Sequence, residues 1–239
     1  MKKLLLSLFA LTLFSCVSDE GDTPPANSGL KLVKIVETDF NDNTVLTTNL
    51  NYTNNIITLV EGSESTGNTF KTEFVYENQR LVRENHFENN TSTGYIILSY
   101  TGDRVTSTVS REEGINYTNN YAYDSNGFVT NEKQYRNGAL NDDRYYDHDN
   151  AGNIVRYEYD AGYIVYSHDT AKNPFSIIYS DAVLKVNGPR FTKNNITKET
   201  VSNQTVRNYT YTYNSEEYPT EKIESYDGHL QRKTNYYYE

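Results

Sequence analysis

The sequence predicts an all-β fold: an antiparallel β-meander of repeated hairpins, curled or closed into a soluble barrel-like sheet, with one short helical segment near 174–186. Three observations carry this expectation. From Leu30 onward apolar and polar residues alternate with period two, as half-buried strands require and helices do not. Tyrosines that end strands recur at Tyr52, Tyr76, Tyr100, Tyr123 and Tyr146, spaced 24, 24, 23 and 23 residues apart, and a fixed period marks a repeat. The segments between them are rich in Asn, Asp and Gly, which tolerate the left-handed backbone of tight turns.

Taken in order, Leu30–Val36 alternates and is closed by Asn41-Asp42-Asn43. Leu50-Asn51-Tyr52 leads through Thr53-Asn54-Asn55 into Ile56–Val60. Phe70, Thr72, Phe74 and Tyr76 share one face of the next strand, and Glu77–Arg80 turns it into Leu81–Phe87. Ile96–Tyr100 is turned by Thr101–Arg104 into Val105–Ser110. Two fuller copies follow, Tyr121–Phe128 and Tyr145–Ile154, each an aromatic strand, a Tyr-Asp step and an Asn/Gly turn. Each unit holds two strands and two turns, so one hairpin passes the chain to the next. Near the carboxyl end Tyr209, Tyr211 and Tyr213 share a face, Asn214–Glu217 turns, and Asp227-Gly228 is a strong hairpin signal.

One region breaks the period. Phe175, Ile178, Tyr179, Ala182 and Val186 fall at helical spacing, with Asn173 placed to cap and Pro174 at the first helical position. Asn187-Gly188-Pro189 ends this segment, and Lys193–Thr197 re-enters the sheet.

The 239 residues suit a single all-β domain, and the formal charge of −10 with a pI near 4.9 makes the chain acidic. No Lys/Arg block offers a phosphate track, so nucleic acid is not an expected partner. Aromatics are 23 Tyr and 9 Phe with no Trp. Tyrosine suits a half-buried sheet, because its ring packs while its hydroxyl reaches a polar partner.

The amino terminus divides the chain further. Met1-Lys2-Lys3 and the apolar run Leu4–Phe14 form a signal segment too short to span a bilayer. Leu13-Phe14-Ser15-Cys16 resembles a bacterial lipobox, which implies removal of residues 1–15 and acylation of Cys16. Cys16 is the chain's one cysteine, so an exported thiol with no partner finds its explanation there. Residues 16–29 then read as a lipidated Cys with an acidic, Pro-rich tether, and 30–239 as the tyrosine-rich domain. The acidic Asp19, Glu20 and Asp22 resemble the signal that sends Bacteroidota lipoproteins to the cell surface.

The Tyr-Asp cores at Tyr123-Asp124 and Tyr146-Asp147 resemble YD (RHS-type) repeats. The wider layout of lipobox, tyrosine hairpins, Asn173-Pro174-Phe175 and Asn194-Asn195-Ile196 is similar to a family of Bacteroidota lipoproteins with a porin-like fold. This resemblance implies an outer-membrane lipoprotein exposed at the cell surface. The large RHS proteins enclose a toxin in a shell of many more units, and this chain has neither the length nor the cargo domain for that. A membrane-inserted barrel is not expected, because Leu81–Phe87 places charge on both faces where lipid needs a continuous apolar one.

No catalytic, cofactor or metal residues are nominated. His86, His148, His168 and His229 lack metal-ligand spacing, and no nucleophile elbow, Walker loop or dinucleotide fingerprint occurs. Asp147-His148-Asp149-Asn150-Ala151-Gly152 with Glu158 partly fits a calcium loop, but Ala151 sits at a ligand position and the composition is equally that of a hairpin turn. The tyrosine stripes could serve as a wall or as a platform for sugar rings. The expected function is therefore a non-catalytic, lipid-anchored envelope protein that binds or scaffolds a glycan or an envelope protein. The alternatives are an accessory lipoprotein of an outer-membrane transporter, favoured by an apolar rim patch, and an envelope hydrolase, which needs clustered carboxylates in a pocket.

Overall fold

The computed structural model describes residues 29–112, 114–202 and 204–239; the signal segment, Cys16 and the tether lie outside them. Sixteen strands follow one another around a closed antiparallel barrel. They are β1 Leu32–Asp39, β2 Val45–Thr53, β3 Ile56–Glu64, β4 Thr69–Glu77, β5 Arg80–Glu88, β6 Thr91–Thr101, β7 Arg104–Glu112 and β8 Ile115–Tyr123. The second half holds β9 Val129–Arg136, β10 Ala139–His148, β11 Ile154–Tyr159, β12 Gly162–Lys172, β13 Asn194–Val201, β14 Gln204–Tyr213, β15 Pro219–Tyr226 and β16 His229–Tyr238. Every strand pairs with its sequence neighbours, and β1 pairs with β16 from Leu32↔Tyr238 to Asp39↔Arg232, so no edge is left open.

The repeat has a structural cause at one end of the barrel. At that end a register shift immediately precedes a tyrosine at the last or next-to-last position of the strand, between Asn51/Tyr52, Val75/Tyr76, Ser99/Tyr100, Ala122/Tyr123 and Thr212/Tyr213. Opposite each tyrosine, at the first or second position of the next strand, lies a buried apolar residue: Ile57, Leu81, Val105, Val129 and Pro219. The bulge ends the ladder on the far side of that strand. β7, for instance, pairs with β8 only from Ser107↔Asn120 onward, which leaves the Val105 carbonyl without a ladder partner. The tyrosine hydroxyl of the adjacent strand supplies it. Tyr123 Oη donates to Val105 O at 2.5 Å, Tyr100 to Leu81 O at 2.7 Å, and Tyr52 to Leu32 O at 2.9 Å. Tyr211 donates to Ile196 O and Tyr238 to Pro219 O, both at 2.8 Å. A buried carbonyl without a partner costs ~1–3 kcal/mol, so each hydroxyl removes a penalty that the bulge creates.

The turns at this end also repeat. The Asp124 carboxylate accepts from the amides of Asn126 and Phe128, Asp149 accepts from Ala151 and Asn153, and the Asn214 side-chain oxygen accepts from Glu216 and Tyr218. Gly127 and Gly152 take the left-handed position at φ 81° and 92°, where a Cβ would be strained. The structure corrects the phase of the second Tyr-Asp core. His148, and not Tyr146, ends β10 opposite Ile154, and Asp149, and not Asp147, makes the turn. His148 stacks on Phe128, with ring centroids 5.1 Å apart.

The irregular segment between β12 and β13 folds into this end as a plug. It comprises a 3-10 turn, Pro174–Ile177, the six-residue helix α1, Asp181–Val186, and a second 3-10 turn, Pro189–Phe191. Asn173 caps the first turn by accepting from the Phe175 amide at 3.0 Å, as its spacing anticipates. Ile178, Ala182 and Val183 pack against Leu50, Phe74, Leu98 and Val105, and Tyr179 meets Phe74 edge-on at 6.1 Å. The plug is held at its neck by asparagines. Asn194 accepts from Asn153 Nδ2 at 3.0 Å and donates to Ala171 O at 2.8 Å, while Asn173 Nδ2 donates to Arg190 O at 2.9 Å. Buried amides with every group engaged fix one arrangement of the neck.

Replacing Tyr123 with Phe is expected to cost ~1–3 kcal/mol through the stranded Val105 carbonyl, as read by urea unfolding. Tyr145→Phe, whose ring is 52% exposed, should change stability by less than ~0.5 kcal/mol. Equal effects of the two would remove the hydroxyl–carbonyl bond from the account of the repeat.

Candidate functional site

The two faces of the wall decide where a ligand can sit. The outer face carries charge around the barrel at mid-strand. Lys71 pairs with Glu73 at 2.7 Å, Arg156 with Glu158 at 2.9 Å and Lys233 with Glu221 at 2.6 Å. Basic groups also cover outer rings: Lys34 lies 5.3 Å from Tyr237 and Arg83 4.5 Å from Tyr95. A lipid-facing strand needs an apolar band ~25 Å tall, and each Lys or Arg at its midplane costs ~2–4 kcal/mol. This wall is built for water.

The tyrosine stripes face inward. Tyr146, Tyr166, Tyr209 and Tyr236 are buried, Tyr146 stacks on Tyr157 at 5.4 Å, and burial pushes the phenols of Tyr52 and Tyr121 up to about 12. They are wall and core, so an external aromatic platform for sugars is not what the stripes build. The calcium loop is also a turn. The Asp149 carboxylate is spent on its own turn, Glu158 pairs with Arg156 on the outer face, and among the described residues no group of three or more His, Cys, Asp or Glu has metal-binding geometry.

What the barrel encloses is polar on one side. Glu37 and Asp39 on β1, Glu199 on β13, Arg207 on β14, Lys222 and Glu224 on β15, and Arg232 on β16 all face the lumen, by registers that place Glu37 beside Thr234, Thr234 beside Lys222, and Glu224 beside Tyr209 and Arg232. Arg232 reaches Asp39 at 3.0 Å and Glu37 at 3.3 Å, and Arg207 reaches Glu224 at 3.2 Å and Glu199 at 3.4 Å. Glu37, Glu199, Lys222, Glu224 and Arg232 line a cavity of ≈ 90 Å³ that also touches Phe175 and Arg190 of the plug and whose walls include Tyr209, Tyr211 and Tyr236. A second hollow shares Glu224 and Arg232 with it and is bounded by Asn41, Tyr226 and Gln231 at the opposite end of the barrel. The lumen is therefore stopped by the plug at the tyrosine end and opens at the other. No short-range sequence motif marks this site, because its residues come from five strands and the plug.

A second pair of titratable groups lies inside the opposite wall. Glu84 on β5 sits between Phe74 and Ile96 on the inner face, and His86 Nε2 lies 3.7 Å from its carboxyl group. Burial pushes the Glu84 carboxyl up to about 7 and the His86 imidazole down. His86 Nε2 has no hydrogen-bond partner.

The comparisons with known proteins agree on architecture alone. No protein-family model matches the chain, and no curated protein matches it. Among solved structures, the crystal structure of a porin-like protein from Bacteroides uniformis superposes with a TM-score of 0.58 over 89% of this chain and 98% of that one, at 12% identity. A structure of TcdB2-TccC3-TEV aligns over 80% of this chain and 11% of that one with a TM-score of 0.23, too low to bear on the fold. The class is thus a closed, plugged β-barrel with a porin-like fold and a wall that faces water.

Glu84 makes a pH test. The folded state retains a proton that the unfolded chain releases near its ordinary value of 4.5, so this group stabilises the fold below that pH and its contribution is lost as pH rises to about 7. At ~1.4 kcal/mol per pKa unit, the loss is about 3 kcal/mol. Glu84→Gln is expected to raise stability at pH 8 by ~2–3 kcal/mol and leave pH 4 nearly unchanged, measured by urea unfolding at the two values.

Proposed function

We propose that the protein is a non-catalytic, lipid-anchored protein of the outer cell surface whose barrel lumen receives a small extracellular ligand. The observation that carries this reading is the polarity of the barrel. Its described amino terminus leaves at the tyrosine end, where Lys31 and Glu239 exchange backbone hydrogen bonds of 2.7 and 2.9 Å, and the lumen opens at the other. Acylation of Cys16 through the tether 16–29 then stands the plugged end toward the membrane and the open mouth toward the medium. Removal of residues 1–15 and the acidic stretch after Cys16 fit export of a surface lipoprotein, and the tyrosine hairpins remain similar to the YD type. The porin-like fold fits an envelope protein, but the charged outer wall favours a tethered barrel over an inserted one. A hydrolase reading finds little support, because Glu37, Glu199 and Glu224 in the cavity are held by arginines. A transporter-accessory role draws on exposed Phe40, Tyr226 and Leu230 near the mouth, which together offer a rim for another envelope protein.

Two measurements test the proposal. Growth of a Gram-negative expression host with an alkyne-labelled fatty acid should label the wild-type chain and not Cys16→Ser; equal labelling of both excludes Cys16 as the acylated residue. Saturation-transfer NMR on the full-length protein in detergent, with neutral and acidic mono- and oligosaccharides, should give signals for single rings that fit the lumen. Silence from every sugar would remove a saccharide from the lumen.

A further inference from the structure

The wall on which the plug packs is largely apolar, and one carboxyl interrupts it. Glu84 on β5 lies directly opposite Phe74 on β4 and Ile96 on β6. Both neighbours belong to the cluster that holds Ile178, Tyr179, Ala182 and Val183 of the plug. The Glu84 side chain is only 13% exposed, His86 Nε2 on the same strand lies 3.7 Å away, and among the described residues no Lys or Arg forms an ion pair with it. The other titratable groups around it are phenols, Tyr76 on β4, Tyr52 on β2 and Tyr179 on the plug, with Glu112 of β7 beyond His86. Burial, and then the charge of Glu84, push the Tyr179 phenol up, so plug and carboxyl share one poorly hydrated space. A leucine there would complete the apolar wall, whereas the acid costs stability whenever it ionises.

Barrel and plug differ in how they withstand that charge. Each strand is held by backbone ladders on both sides around a closed ring. The plug is two 3-10 turns and a six-residue helix, seated by apolar side chains and an asparagine neck. Segments without ladder bonds open locally before a sheet does, and unseating the plug returns water to Glu84 while the ring of strands stays intact. We propose that the plug is a pH-responsive closure of the barrel: it stays seated while Glu84 is protonated, and ionisation of Glu84 shifts it toward an unseated state that opens the sealed end. The sign follows from the raised carboxyl. A seated plug retains a proton that an open one gives up near the ordinary value of 4.5, so the seating contribution is complete below that pH, falls as pH rises, and is gone above about 7. His86 acts in the opposite sense, because burial holds its imidazole down, but it lines a separate hollow with Glu64 and Glu88 and keeps that place when the plug leaves.

The test is hydrogen–deuterium exchange by mass spectrometry on the full-length protein in detergent at pH 5 and pH 8, with each rate corrected for the intrinsic pH dependence of amide exchange. In the wild type the opening constant of plug amides from Phe175 to Val186 should rise roughly 50–100-fold between the two values, with β4 to β6 changing far less. Glu84→Gln, which keeps the size of the protonated acid, should remove most of that rise; His86 is present in both proteins and drops out of the comparison. Ile178→Ala, which weakens the apolar seat and leaves the carboxyl in place, should speed plug exchange at both pH values and preserve the ratio. Circular dichroism at pH 5 confirms that each variant folds. A rise that persists undiminished in Glu84→Gln overturns the role of Glu84. A rise of equal size in the plug and in β4 to β6 overturns the plug as the opening unit, since the wall then opens with it. Plug exchange that stays flat in the wild type, while Ile178→Ala shows that plug opening is measurable, overturns the closure itself.

Discussion

A carbonyl that cannot join its ladder is the constraint on which this barrel depends. Bulges at the tyrosine end twist and close the sheet, but they leave backbone oxygens such as those of Leu32, Leu81 and Val105 facing the next strand. A tyrosine hydroxyl is long enough to reach it from the adjacent inner face, and its ring fills the barrel end at the same time. Phenylalanine fills the space without satisfying the oxygen, and a shorter hydroxyl residue does the reverse. The need for both properties at one position accounts for Tyr52, Tyr100, Tyr123, Tyr211 and Tyr238.

That device also separates the two ends of the molecule. The tyrosine end is sealed by buried apolar residues near the starts of the odd strands and by the plug, whose neck is pinned through Asn153, Asn173 and Asn194. The opposite end has no such ring, and there the lumen carries ion pairs instead of packed rings. Sixteen strands enclose more space than side chains alone fill, so the protein fills one end with a plug and leaves a polar cavity beside it. Turning charge outward as well as inward lets the same architecture stand in water.

Much of the fold was legible in single residues. Period two along Phe70, Thr72, Phe74 and Tyr76, the cap at Asn173 and the re-entry at Asn194 all lie where the pattern places them. The phase of the second Tyr-Asp core was not. Tyr145-Tyr146-Asp147 looks like its predecessor, yet Asp149 makes the turn because it can accept from the Asn153 amide at 2.9 Å, and His148 takes the terminal slot against Phe128. Two aspartates two residues apart both satisfy the local rule, and the fit to the neighbouring hairpin selects between them. The inward direction of the tyrosine stripes was likewise undecided, since alternation identifies two faces without saying which one meets water.

By itself the sequence determined the element types, the repeat, the turn positions and the place of the plug, because these follow from periodicity and backbone preference within a few residues. Closure, the sealed and open ends, and the pairing of Glu37, Glu199 and Glu224 with Arg207 and Arg232 were decided only by the tertiary structure. Those pairs join residues on strands that meet only through sheet register or, for Glu37 and Arg232, across the β1–β16 seam. Register is a property of the whole ring, and a one-residue slip on any strand would turn its lumen charges outward.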